Sequence, residues 1–190
     1  GDSPYQSFST YAGNPYFIDL DELAKEGYLE RGEYEGTDWE SEPDRINYGV
    51  LYEKRYPILR KAAGRFREKP PEDYERFCRE NARWLDDYAC FMALKDAHGG
   101  TSWMTWEEPL RSRQEQALAE VCQTCADEME FWKICQYLFF RQWKALREYV
   151  NGRGIRIIGD LPIYVSLDSV DVWAHPELFQ LDENKVPREV

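Results

Sequence analysis

The chain has 190 residues, enough for one domain with a sizeable core, and its 43% hydrophobic and 15% aromatic content excludes a disordered chain. A formal net charge of -12 argues against a nucleic-acid partner, whose phosphates require Lys and Arg, and against an anionic membrane surface. No apolar run approaches the ~20 residues that span a bilayer, so the composition suits a soluble protein with a neutral ligand.

The N-terminal residues 1–18 interleave small turn formers with the rings of Tyr5, Phe8, Tyr11, Tyr16 and Phe17. A flexible linker would lack those rings, so a structured loop is expected. Rings stack on apolar sugar faces while polar groups bond the rim, which suits a carbohydrate or another flat ligand. The alternative is an aromatic loop packed on its own core. Asp19 with Glu22 resembles a capping box and opens a short helix ending at Gly27. Residues 30–47 are polar and acidic and read as a surface loop. A helix is expected over 48–66, with a break near Pro57. Pro70-Pro71 follows, with Pro71 placed as the first residue of the next helix.

That helix, over 72–97, carries the stripe Phe77, Cys78, Leu85, Tyr88, Ala89 and Met92 and stops at Gly99-Gly100. Residues 101–109 form a loop with Trp103 and Trp106. A long helix is expected over 110–150, its stripe running from Leu118 through Val121, Cys125, Trp132 and Trp143 to Val150. Unbroken, its ~40 residues would measure roughly 60 Å, which points to a break or an exposed extension. Asn151-Gly152 ends it. All five cysteines, Cys78, Cys90, Cys122, Cys125 and Cys135, fall on helical stripes and are expected as reduced core residues of a cytosolic protein. Cys122 and Cys125 form a C-x-x-C with no second pair. With two His in the chain, no metal site and no cofactor is expected.

The run Gly154 to Val165 contains Ile155, Ile157 and Ile158, β-branched and bounded by glycines. It predicts a strand over 155–158 buried on both faces, as in a parallel sheet. Asp160 follows at its carboxyl end, where ligands bind in α/β sheets and barrels; capping the next turn is its other role. A helical turn near 169–174 and a hairpin over 179–185 complete the chain. The fold class is therefore mainly α with one or few strands. Such a strand needs neighbours, and only 16–20 offers another candidate. The chain reads as one slice of a repeating β/α barrel, incomplete at both ends. Its opening Gly1-Asp2-Ser3, without Met, fits that reading.

Several motifs resemble the amylomaltases, the 4-alpha-glucanotransferases of glycoside hydrolase family 77. They are Gly1-Asp2-Ser3-Pro4-Tyr5-Gln6-Ser7-Phe8-Ser9, Ala12-Gly13-Asn14-Pro15-Tyr16 and Asn47-Tyr48-Gly49-Val50-Leu51-Tyr52. The run Leu138-Phe139-Phe140-Arg141-Gln142-Trp143 and the segment 154–165 belong with them, as do Asp171-Val172-Trp173-Ala174-His175-Pro176 and Phe179-Gln180-Leu181-Asp182. The resemblance implies a piece of a (β/α)8 TIM barrel with a large helical insertion. Residues 1–18 would be an aromatic loop on the active-site side, 19–150 the helical insertion, and 151–190 the third barrel strand with its following loop. It further implies transfer of α-1,4-glucan segments, with maltooligosaccharides as partners, by a retaining double displacement that uses two carboxylates.

The family's nucleophile lies in an Arg-x-Asp-His motif, which this sequence does not contain. No catalytic residue is thus expected in the chain, and the fragment alone is expected to be inactive. Tyr5 matches the tyrosine that stacks on the sugar at the cleavage site, and Ser3 a neighbouring polar contact. Asp160 matches a carboxylate at the end of the third strand that contacts or orients the site without attacking. Tyr52 matches a tyrosine of a second glucan site. Asp2 reads as a loop-fixing residue, and His175 matches a family position without a catalytic role. A truncated barrel would expose strand edges, so self-association is expected. Two other readings stand beside the enzyme: a non-catalytic helical module holding α-glucan through Tyr5, Tyr52, Trp103 and Trp106, and a different α-glucan-acting barrel of the wider α-amylase group.

Overall fold

The computed structural model describes residues 6–42, 44–160, 163–183 and 185–188. The chain is mainly helical: α1 Leu20–Lys25, α2 Tyr48–Glu68, α3 Tyr74–Ala97, α4 Glu108–Arg111, α5 Glu115–Thr124, α6 Ala126–Gly152 and α7 Val170–Ala174. Three of these starts follow from side-chain caps. Asp19 accepts from the backbone N–H of Asp21 and Glu22, Asn47 from Val50, and Ser169 from Val172. The chain divides into two compact units, residues 13–79 with 134–157, and residues 1–12 with 80–133 and 158–190.

In the first of these units, α2 and α6 bury an aliphatic and aromatic face that includes Leu59, Ala62, Phe66, Ile134 and Leu138. Phe66, Tyr74 and Tyr137 meet edge-on, with ring centroids 5.0 to 5.5 Å apart. Such pairs add about 0.5–1.5 kcal/mol each beyond area burial. The Tyr137 hydroxyl donates to Asp73 at 2.7 Å, and burial, then that bond, pushes its pKa up to about 12. Gln136 is fully buried (0% exposed), and its amide accepts from Gly13 N at 2.8 Å and donates to Gly13 O at 3.0 Å.

The other unit has an indole-rich core. Phe91, Trp106 and Trp173 lie 5.4 to 5.8 Å apart, and Arg113 covers Trp173 at 4.2 Å. Trp103 Nε1 donates to Leu167 O at 2.8 Å and Trp173 Nε1 to Leu110 O at 3.0 Å. Trp103 and Trp173 thereby bury their rings and satisfy their donors, whereas the buried Nε1 of Trp106 has no hydrogen-bond partner among the described residues.

Several expectations are corrected. No strand occurs among the described residues, where only the isolated bridges Glu42 to Arg45 and Leu181 to Pro187 form. Residues 155–160 are irregular and exposed, with Ile158 94% exposed. A strand exists only through ladder bonds to a neighbour, and none of the described segments offers one. The hairpin region does turn back, Asp182 N donating to Val186 O and Arg188 N to Gln180 O, each at 2.8 Å. α2 continues through Pro57, which lies on its exposed face. Pro71 precedes the regular helix; its carbonyl accepts from Tyr74 N, the first residue of α3. The expected long helix is split into α4, α5 and α6, with Arg113 at φ 57 and Cys125 out of the helix at φ -110, ψ 19. Cys90 and Cys135 are core residues, but Cys122 is exposed and Cys78 and Cys125 are half-buried.

Candidate functional site

Two regions carry the residues singled out by sequence. The first follows Tyr5. Ser3 and Tyr5 themselves lie outside the described residues, as does Asp2, but the chain from Gln6 onward is held firmly. Thr10 donates to Asp171 through its backbone N at 2.9 Å and its hydroxyl at 2.8 Å. Val170 N donates to Phe8 O at 2.8 Å, while Ser9 Oγ accepts from Tyr11 N and Ala12 N. The Tyr11 ring stacks on Trp84 with centroids 6.2 Å apart and 16° between planes. The aromatic loop thus packs partly on its own core, while Tyr11 and Phe17 stay exposed.

Beneath this segment lies a buried cation. Lys95 is 3% exposed, and its Nζ reaches Asp168 at 2.6 Å, Thr101 O at 3.0 Å and Gly100 O at 3.3 Å. It also sits 4.8 Å from the centre of the Phe8 ring. A lysine is buried only when its donors are paired, and here they join α3, the 100–103 turn and the chain before α7. In the sequence, Asp171 falls within a family motif without an assigned role, and Lys95 and Asp168 belong to none. A signal for Lys95 was present, because it continues the stripe Leu85, Tyr88 and Met92 at helical spacing. Asp160, in the same unit, is exposed. His175 is exposed too, with Nδ1 3.2 Å from Glu177.

The second region is the exposed face of α2, in the other unit. Tyr52 is 54% exposed and meets Tyr56 edge-on at 5.2 Å; Tyr56 meets Tyr16 at 5.8 Å. Tyr48, Tyr52 and Tyr56 recur at four-residue spacing, so they share one helix face. Arg55, on the neighbouring face, donates to the carbonyl of Ile18, and its pKa is lowered by burial. Rings presented this way offer flat apolar surface with hydroxyls at the edge, the pattern that holds a pyranose. By contrast, Trp103 and Trp106 are buried at 1% and 3% exposure, which removes them as glucan contacts. Among the described residues, no group of three or more His, Cys, Asp or Glu is placed to hold a metal ion, and no helix is long and apolar enough to cross a membrane.

The family model described as 4-alpha-glucanotransferase, glycoside hydrolase family 77, matches residues 1–187. The chain belongs to this family. It is 52% identical over 191 residues to a 4-alpha-glucanotransferase of Thermus thermophilus, covering 98% of this chain and 37% of that relative. To the enzyme of the same name from Clostridium butyricum it is 42% identical, covering 96% of this chain and 38% of the relative. A potato relative, named 4-alpha-glucanotransferase, chloroplastic/amyloplastic, is 38% identical, with 97% and 32% covered. Among solved structures, an amylomaltase from Streptococcus agalactiae in complex with acarbose aligns with TM-score 0.92 and 42% identity, over 97% of this chain and 38% of that one. The chain therefore spans about a third of the length of these family members.

Proposed function

We propose that the protein to which this chain belongs is a 4-alpha-glucanotransferase that moves α-1,4-glucan segments between maltooligosaccharides by a retaining double displacement. The observation that carries the reading is the match of residues 1–187 to the glycoside hydrolase family 77 model, together with a 0.92 TM-score to an amylomaltase. In this reading the chain is a piece of a (β/α)8 barrel with its helical insertion, divided as 1–18, 19–150 and 151–190. The exposed isoleucines at 155, 157 and 158 support it, because an apolar β-branched run left in water is what a barrel strand becomes without its neighbours. The same exposed run is the ground for self-association of the chain on its own.

Tyr5 and Ser3 bind the sugar at the cleavage site, Asp160 lies at the rim, and Tyr52 belongs to a second glucan site. The segment from Gln6 to Ala12 is fixed through Thr10 and Asp171. The nucleophile and the acid/base come from elsewhere in the protein, so this chain alone is inactive and needs no cofactor. Its acidity keeps nucleic acid and anionic membranes from being partners. A cytosolic location belongs to the same reading, although the potato relative's name places that protein in a plastid. The experiment is incubation of maltotriose with the full-length protein and, separately, with the 190-residue chain. Longer maltooligosaccharides are expected from the first and none from the second. Their absence from the full-length reaction would overturn the enzyme reading in favour of a glucan-binding module.

A further inference from the structure

The C-x-x-C at 122–125 is not among the residues assigned to glucan, and its exposure sets it apart from the buried Cys90 and Cys135. α5 ends at Thr124, Cys125 caps it, and α6 begins at the next residue. Cys125 N still donates to Val121 O at 2.8 Å, and Met129 N donates to Cys125 O at 2.9 Å. The pair therefore spans the last turn of one helix and the hinge to the next. Helical i, i+3 spacing places the two Cβ atoms about 5–6 Å apart, whereas a disulfide needs about 3.5–4.5 Å. At Cys125 the backbone leaves the helix, with φ -110 and ψ 19, so regular helical geometry does not hold the pair at that separation.

Access divides the thiols. Cys122 is exposed, and Cys125 is half-buried with Sγ 3.8 Å from Thr124 Oγ1. Cys90 is buried in the same unit, and its thiol is pushed up to about 12, chiefly by burial and further by the neighbouring Cys122 and Cys125. At neutral pH it stays protonated and shielded, and thiolate is the reacting form.

The geometry points to Cys122 and Cys125 as a vicinal dithiol that a low-molecular-weight disulfide oxidises reversibly. The Cys122 thiolate attacks one sulfur of the disulfide RS–SR, forming a mixed disulfide and expelling one thiolate, which takes up the proton that Cys122 lost. The Cys125 thiolate then attacks the Cys122 sulfur, and the second RS⁻ leaves and is protonated. The protein loses two hydrogens and two electrons; RS–SR gains them as two RSH. The new bond fixes the α5–α6 hinge and leaves Cys90 untouched.

The test treats the full-length protein with oxidised glutathione, blocks remaining thiols by alkylation, and maps peptides by mass. Expected is a disulfide joining Cys122 to Cys125 with no glutathione retained, reversed by dithiothreitol. In Cys122→Ser, a change at an exposed position that leaves packing alone, Cys125 is expected to stay reduced. In Cys125→Ser, glutathione is expected to remain on Cys122. Should that variant not fold, binding of phenylarsine oxide, a probe for paired thiols, replaces it: it is expected in wild type and lost in Cys122→Ser. Glutathione retained on Cys122 of the wild type, a bond to Cys90, or no oxidation at all overturns the proposal.

Discussion

Replacing Gly13 by Ala tests the packing that fixes the start of the helical region. A Cβ built on Gly13 would lie 2.0 Å from Phe139 Cδ1, 2.1 Å from Cε1 and 2.5 Å from Cγ. Contact with Cγ, close to the ring's attachment, means that a small rotation cannot relieve it. The backbone cannot yield either, because both polar groups of Gly13 are bonded to the fully buried Gln136. Overpacking of this kind costs about 1–3 kcal/mol, and loosening the two amide bonds adds about 0.5–1.5 kcal/mol each. Lower unfolded-state entropy returns about 0.4–1 kcal/mol to the alanine variant. The net expectation is a loss centred on about 3 kcal/mol, or a fall in Tm of roughly 6–12 °C for a chain of this size. Thermal unfolding followed by circular dichroism at the helical band reads this directly. Adding Phe139→Leu to the variant is expected to recover part of the loss. An unchanged or higher Tm for Gly13→Ala, or no recovery in the double variant, would refute the clash.

Glu33 is bonded by Arg65 at 2.6 and 3.1 Å and by Glu30 N at 2.8 Å, and these bonds, that of Arg65 first, lower its pKa from 4.5 to about 2. A depressed carboxylate stabilises the fold fully above its unfolded value and stops doing so as pH falls through its folded value. The Tm gap between wild type and Arg65→Met should therefore shrink from pH 4.5 to about 2; a gap that is flat across this window contradicts the pairing. Around Lys95, Asp168→Asn should cost about 2 kcal/mol in urea unfolding, below the ~3–5 kcal/mol of a fully buried broken pair because Asp168 is 33% exposed and two carbonyls still hold Nζ. Lys95→Met should cost less, since it leaves no buried charge; the reverse order would count against the pair. In the full-length protein, Tyr5→Ala should lower kcat more than Tyr52→Ala, because the proposed function assigns only Tyr5 to the reacting sugar. Equal losses at saturating maltotriose would remove that distinction.

The start of α1 was readable from its cap at Asp19, and those of α2 and α7 fell beside Asn47 and Ser169, which cap them in the structure. The length of the long helix pointed to a break or an exposed extension, but the place of the break was not readable, because the stripe through Val121, Cys125 and Met129 keeps helical spacing across it. Burial of Trp103 and Trp106 was hidden for a related reason. Both sit in a loop, and the Gly99-Gly100 turn folds that loop back against Phe91, a tertiary event without local periodicity. The isoleucines of 155–158 read as a buried strand because composition reports what a segment prefers. Whether it is buried depends on partners, and these residues are exposed. Of the candidate site, the sequence supplied Tyr52 and Asp160 but not the residues that steady the loop after Tyr5. Asp171 looks like an ordinary first-turn acid of α7, and only the fold brings it to Thr10, 161 positions away.

The most direct test of glucan transfer counts glycosidic bonds. Each transfer breaks one α-1,4 bond and makes another, so total reducing ends stay constant while maltotriose gives way to glucose and longer chains. Reducing ends and product lengths should be followed together in the full-length protein with maltotriose. Redistribution with a constant count is expected; reducing ends that rise in step with glucose would mean hydrolysis and would contradict glucan transfer.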